Sequence, residues 1–205
     1  MSADSNHNQA RQIPEVSRRR AVAAFAATTA AVWTAPSVLS LDRVAAAAGS
    51  NAAPTVSGDA MLGTLAAGES LRPESVQYSS NTNFYVFDEQ STTLTSPQTT
   101  DSGDVLPVGT VICSHLIHWS PASGTTSVAG NVSFSGTIVG YDWTDGTLAA
   151  TDAQWGIPGV NYGVGLRRME WPGNDDVVFT LPNSVFLDMF ADAAFVDQIR
   201  IYVVY

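Results

Sequence analysis

Hydrophobic and polar residues alternate along several short segments of this chain, which is the pattern of β-strands. From Val111 to Trp119, odd and even positions fall on opposite faces, and both faces carry apolar residues. This segment therefore predicts a central strand that is covered on both sides. Near the end of the chain, Ile199, Ile201, Val203 and Tyr205 share one face and predict a second strand.

Two further segments follow the same logic. Asn83 to Phe87 is aromatic and β-branched, and it predicts a strand. From Val132 to Val139, apolar residues alternate with serine and threonine, as in a strand with one buried face. Because Pro121 to Gly124 supplies turn residues, the strands before and after it are expected to form a hairpin or an adjacent pair.

Helical signals are sparse in the rest of the sequence. Patches such as Val185 to Phe195 hint at helix, but no long period of 3.6 residues follows residue 48. Short strands separated by turns predict an all-β fold, a single antiparallel β-sandwich or jelly-roll-like domain over residues 76–205. Residues 49–75 are rich in Gly, Ala, Ser and Pro and predict a flexible lead or linker, with one short strand near Met61 to Leu65.

The first 48 residues have the layout of an export signal. Arg18 and Arg19 precede a weakly apolar, alanine-rich stretch that closes in Ala45 to Ala48, which offers the small residues that a signal peptidase requires. This order predicts a twin-arginine signal peptide over residues 1–48, the twin-arginine translocase as a partner, and a secreted or cell-envelope protein of a prokaryote. The alternative is an uncleaved membrane anchor, since about 20 apolar residues can span a bilayer.

Composition narrows the possible partners. Without residues 1–48, the chain holds four basic and sixteen acidic residues and no lysine, for a net charge of −12. Nucleic acid and anionic lipid surfaces are held by basic side chains, so both are disfavoured as partners. Cys113 is the only cysteine, which excludes an intrachain disulfide, and its apolar surroundings predict a buried thiol.

Several short motifs carry a family resemblance. They resemble an uncharacterised family of exported β-rich domains whose members often bear a PEP-CTERM-type sorting tail. The resemblance implies an extracellular β-sandwich, without an established activity or site. This chain ends on Tyr202 to Tyr205, so anchoring through such a tail is not expected. The motifs are Phe87–Gln90, Gly109–His118, Pro121–Gly124, Gly130–Phe134, Ile138–Gly140, Gly156–Tyr162, Leu166–Glu170 and Asp197–Ile201.

Acidic turns are the candidate metal ligands. Asp142 and Asp145 lie on one glycine-containing turn, and Asp175 and Asp176 on another. Carboxylate oxygens are ligands that calcium prefers, so these four residues form a candidate structural calcium site, although turn chemistry and solubility explain the same residues. His115 and His118 face opposite sides of their strand, so they are not expected to bind a metal together.

Aromatic and acidic residues raise two further possibilities. Trp143, Trp155 and Trp171 fall in or near predicted loops, where they could stack on a sugar ring, although core packing is the alternative. A glycoside hydrolase would need Glu170 paired with a second carboxylate across a cleft. Glu170 follows Arg167 and Arg168, and an ion pair is the simpler interpretation. The candidates for that second carboxylate are Asp142, Asp145, Asp152 and Asp176.

Two classes of function therefore remain from the sequence. One is an exported, non-catalytic β-sandwich with a surface, adhesion or ligand-binding role. The alternative is an extracellular protein that binds or hydrolyses carbohydrate. Neither a Gly-x-Ser-x-Gly elbow nor a His-Glu-x-x-His helix nor a phosphate-binding glycine loop occurs, which makes an enzyme the minority hypothesis.

Overall fold

The computed structural model describes residues 53–72, 76–163, 165, 167–170, 173–192 and 194–205, with only the backbone for Val76 and Asp192. The predicted export signal, with Arg18 and Arg19, lies outside these residues. In the described part the fold is all-β, as predicted, with one α-helix and one turn of 3-10 helix. None of the helices in this part is long and apolar enough to cross a membrane.

The strands are β1 (Thr55–Gly58), β2 (Ala60–Gly63), β3 (Phe84–Thr93), β4 (Gln98–Thr99), β5 (Val105–Leu106), β6 (Val111–Trp119), β7 (Thr125–Ser133), β8 (Thr137–Asp142), β9 (Asp176–Leu181), β10 (Ser184–Asp192) and β11 (Asp197–Val204). The helix α1 spans Asp145–Trp155, and the 3-10 turn spans Val76–Tyr78.

Two sheets form the sandwich. A four-stranded sheet has the order β1-β7-β10-β9, and a five-stranded sheet has the order β2-β3-β6-β11-β8. Neighbouring strands run antiparallel, except that β2 and β3 are parallel. The short strands β4 and β5 pair separately.

The main core lies between the two sheets, where alternation brings one apolar face of each sheet inward. Ile117 of β6 and Ile199 of β11 meet Val185 of β10 in this core, and all three side chains are fully buried. The predicted alternation of β6 and β11 is therefore confirmed. Cys113 is buried, also as predicted, and its Sγ accepts a hydrogen bond from the Ser91 hydroxyl at 3.2 Å.

The outer face of the five-stranded sheet is also covered, because β6 and β11 are apolar on both faces. Here α1 packs against the sheet, and the Trp155 ring lies 5.0 Å from the Tyr202 ring. Two smaller clusters form on this side, one around Phe87 and Leu116 and the other around Ile112 and Trp155. Burial on both faces explains why almost every side chain of β6 is inaccessible to solvent.

The structure corrects two predictions about strand pairing. Residues 132–139 are not one strand, because β7 ends at Ser133 and β8 begins at Thr137. At Gly136, between them, a Cβ atom would collide with the Val204 carbonyl oxygen. The turn after β6 does not form a hairpin either, since β6 and β7 belong to different sheets and the chain crosses the sandwich there.

Two further predictions about local structure were wrong. Residues 185–195 hinted at helix, but β10 covers most of them and pairs with β7 and β9. The observed helix α1 was not predicted. Residues 49–75 were expected to form a lead or linker with one short strand near Met61 to Leu65, and β2 lies there. The structure adds β1, and each of the two strands lies at the edge of one sheet. The sandwich of the described residues thus begins near Thr55.

Candidate functional site

A surface cleft of about 490 Å³ lies beside the N-terminus of α1. Asp101 holds one wall in place, because its carboxylate accepts the amide of Trp143 at 2.9 Å and that of Thr144 at 2.8 Å. Thr144 is the N-cap of α1, and its side chain accepts the Thr147 amide. The cleft is lined by Trp143, Thr144, Arg168, Met169, Glu170, Gly173 and Asn174.

The opposite wall is the segment that leads into β9. Asp175 fixes this segment, because its carboxylate accepts the Glu170 amide at 2.6 Å and the Phe190 amide of β10 at 2.8 Å. Gly173 permits the tight path of the chain, since a Cβ atom there would collide with the Glu170 carbonyl oxygen. The half-buried Glu170 therefore lines the cleft from a segment that is tied to the sandwich.

Three carboxylates meet where this wall joins the sandwich. Single oxygen atoms of Glu170, Asp175 and Asp197 all lie within 4.8 Å of one another. Asp197, at the start of β11, is completely buried, and within the described part of the chain neither of its carboxylate oxygens has a hydrogen-bond partner. Burial and then the neighbouring charges of Asp175 and Glu170 raise the pKa of Asp197 to about 9. Burial likewise raises the pKa of Asp175.

The chemistry of this cluster is that of a hard-cation site. It offers carboxylate oxygens alone, without imidazole or thiolate among its three residues, and such ligands suit calcium or magnesium better than zinc. Arg167 does not neutralise the cluster, because its guanidinium is bound to Asp152 at 2.6 Å and to Gln198 at 2.7 Å. The predicted ion pair between Glu170 and a neighbouring arginine was thus wrong for Arg167, and Arg168 shows none with Glu170.

The four predicted calcium ligands do not form one group. Asp142 is buried and accepts the Tyr202 hydroxyl at 2.6 Å and the Asp101 amide at 2.8 Å. Asp145 accepts the Arg167 amide at 2.6 Å, so it joins α1 to the following segment. Asp176 is exposed on β9. Only Asp175 belongs to the carboxylate group identified among the described residues, and its partners there are Glu170 and Asp197.

The three predicted ligand-binding tryptophans also separate. Trp143 is half-buried and lines the cleft. Trp155 is fully buried at the end of α1, so the prediction that it contacts a ligand was wrong, and core packing explains it. Trp171 lies outside the described residues.

His115 and His118 lie on opposite faces of β6, as predicted, and both are buried. The imidazole of His115 lies 2.9 Å from the Asp88 carboxylate and 3.0 Å from the Tyr205 hydroxyl, so both of its nitrogens are engaged. The Gln198 side-chain amide nitrogen donates a hydrogen bond to His118 Nδ1 at 2.9 Å. Burial lowers the pKa of His118 to about 3, with a smaller contribution from Arg167. Neither ring is available to a substrate.

A separate charged network lies under α1 and was not predicted. Arg200 of β11 binds Glu89 of β3 at 2.7 and 2.9 Å, Asp152 of α1 at 2.9 Å, and the Thr151 hydroxyl at 2.7 Å. The side chains of Arg200 and Glu89 are both fully buried. Burial alone would lower the pKa of Arg200, but Glu89 raises it overall, so the arginine stays charged. This network fastens α1 to the sheet.

Comparisons of the chain with protein families, with curated proteins and with solved structures found no match. The resemblance to exported domains with sorting tails therefore stays a prediction. The class defined by the structure is a β-sandwich with one helix packed on its outer face and a carboxylate cluster beside a surface cleft.

Proposed function

We propose that this chain is an exported, non-catalytic β-sandwich protein that binds a carbohydrate in the cleft between Trp143 and residues 168–170 and 173–174. The observation that supports this function is the composition of the cleft lining. A partly exposed indole stands with Arg168, Glu170 and Asn174, which offer donors and acceptors for hydroxyl groups. Sugar rings stack on aromatic faces while such groups fix their orientation.

A binding role fits this cleft better than hydrolysis. Glycosidases use two carboxylates on opposite sides of the scissile bond, about 5 to 10 Å apart, and both must reach the substrate. Among the described residues that line the cleft, Glu170 supplies the single carboxylate. Its acidic neighbours Asp175 and Asp197 are buried and are not among the residues that line the cleft. These positions favour a surface that holds a ligand without cleaving it.

Calorimetric titration of the full chain with oligosaccharides, selected first on a glycan array, tests the binding role. We expect Trp143→Ala and Arg168→Ala each to weaken binding by about tenfold, the equivalent of about 1.4 kcal/mol. Arg72→Ala is the matched control, because Arg72 is exposed and does not line the cleft. Equal affinity of all four proteins, or no binding to any glycan, would contradict the proposal.

The hydrolase alternative is tested on the same glycans by the release of reducing ends. We expect none above the background of a heat-denatured sample. Release that disappears in Glu170→Gln would replace the binding role with hydrolysis.

The export part of the proposal depends on Arg18 and Arg19. Changing both to lysine keeps the charge and should stop export, because the twin-arginine pair is the feature that the translocase recognises. Cell fractionation with an antibody against the sandwich measures this. Undiminished protein outside the cytoplasm in the double variant would show that the chain uses another route.

A further inference from the structure

The carboxylate cluster contains a group that the protein leaves unsatisfied. Asp197 has no exposed surface, and both of its oxygens lack a hydrogen-bond partner among the described residues. A buried carboxylate without a donor or a counter-charge is costly, and folded proteins avoid it by pairing, protonation or coordination of a metal. The nearest charged groups that act on Asp197 are Asp175 and Glu170, which are also acidic.

The direction of the Asp197 side chain makes the cluster more than a chance group of acids. One of its oxygens lies within 4.8 Å of an oxygen of both Glu170 and Asp175. The Asp175 carboxylate is itself fixed by two backbone amides, so it cannot swing away without breaking them. The unpartnered carboxylate thus points into a group whose second member is held in place.

The ligand set favours calcium over magnesium. Oxygens within 4.8 Å of one another can share one calcium ion, which binds oxygen at about 2.3–2.6 Å, whereas magnesium demands near-ideal octahedral geometry and dehydrates reluctantly. Calcium also takes six to eight ligands in flexible geometry. Glu170 is half-buried and faces the cleft, which gives an ion a route to the cluster and gives water access to the remaining coordination positions.

We propose that Glu170, Asp175 and Asp197 form a calcium site that joins the cleft wall to the starts of β9 and β11. The ion supplies the positive charge that Asp197 lacks. Its ligands come from the segment before β9, from the residue that precedes β9, and from the first residue of β11. Calcium would therefore tie the wall that carries Arg168 and Asn174 to the sandwich. The site does not depend on carbohydrate binding, so either proposal can fail alone.

Calorimetric titration of the chelator-treated full chain with calcium chloride tests this site. We expect one calcium ion per chain, weaker binding of magnesium, and a thermal midpoint that rises by about 5 to 10 °C at a calcium concentration near 100 times Kd. Absence of binding at millimolar calcium, or stoichiometric zinc with no response to calcium, would overturn the proposal.

Three variants assign the binding to these residues. Glu170→Gln, at a partly exposed position, and Asp197→Asn, of the same shape as the native side chain, should each weaken calcium binding by at least about tenfold, since each removes a charged ligand. Asp176→Asn is the control, because Asp176 is exposed and adjacent to Asp175 but outside the cluster. If Asp176→Asn loses as much affinity for calcium as the other two variants, calcium responds to the negative charge of the surface in general, and the proposed site is wrong. If Glu170→Gln, measured on folded protein, binds as tightly as the native chain, the assigned site is wrong.

Discussion

Two groups of buried ionisable side chains lie at different places in this sandwich, and they differ in how their charges are compensated. Under α1, Arg200 meets Glu89 and Asp152, so each buried charge has an opposite partner. Beside the cleft, Asp197 meets two further carboxylates, and none of the residues that the structure describes donates a hydrogen bond to it. The first arrangement is complete within the protein. The carboxylates of the second group can be neutralised only by a cation or a proton. We therefore interpret the first group as a structural network and the second as a candidate site.

The largest expected effect on stability comes from replacing Arg200, the centre of the paired network. Arg200→Met should destabilise the fold by about 3 to 5 kcal/mol, because the buried Glu89 would stay under the helix without its counter-charge, while Asp152 would keep only Arg167 as its partner. Urea denaturation followed by tryptophan fluorescence measures this loss. Arg72→Ala, at an exposed arginine, should change the free energy of unfolding by less than about 0.5 kcal/mol. A similar small loss for Arg200→Met would mean that the buried pair is dispensable.

A second test uses acid, because His118 belongs to the same network through Gln198 and Arg167. The folded-state pKa of His118 is about 3, below its usual value near 6.5, so the unfolded chain takes up a proton first as pH falls. His118 therefore contributes its full stability above pH 6.5 and loses it progressively down to about pH 3. As the pH falls from 7 to 5, protonation of His118 in the unfolded chain should lower the free energy of unfolding by about 2 kcal/mol.

Denaturant titrations at pH 7 and pH 5 measure that loss in the native chain and in His118→Gln. The variant has no imidazole at this position, so its stability should fall by about 2 kcal/mol less between the two pH values. If the free energy of unfolding fell equally in both proteins, other groups, chiefly carboxylates, would be responsible for the acid sensitivity.

The smallest expected effect is a gain in stability, and it concerns Asp197 in the carboxylate cluster. In the presence of chelator at pH 7, Asp197→Asn should raise the free energy of unfolding by about 1 kcal/mol, because burial raises the pKa of Asp197 to about 9, so that the native carboxylate must take up a proton on folding. The gain is modest, since the buried amide still lacks partners. Denaturant midpoints with chelator and then with excess calcium give the measurement. With calcium the order should reverse, and a variant that is less stable than the native chain under both conditions would contradict the contrast between the two groups.

Parts of the fold were predictable from local pattern. The strand β6 carries apolar residues on both faces, and that pattern identified it as a central strand, whereas β11 was identified as a strand by its one fully apolar face. The helix α1 was missed because its buried residues, Leu148, Thr151 and Trp155, are separated by alanine and threonine, which give little contrast between its faces. Its available signals were Thr144 as N-cap and Asp145 in the first turn. The same residues were interpreted as a turn.

The candidate site was only partly predictable for a different reason. Trp143 and Asp175 were selected from the sequence, and both contribute to the cleft or the carboxylate cluster. Asp197 carried no local signal, because a single aspartate at the start of an apolar strand is indistinguishable from a solvated strand end. Its burial depends on residues far away along the chain.

The sequence by itself determined the all-β class, the central strands, the absence of an intrachain disulfide and the acidic charge, since these follow from composition and from the two-residue period of a strand. The tertiary structure decided which charges meet. It brought Arg200 to Glu89 across the intervening strand β6, and Asp197 to Glu170 and Asp175 beside the cleft. The energy of a buried charge depends on its neighbours in space, and strand order and loop path set those neighbours without leaving a period in the sequence.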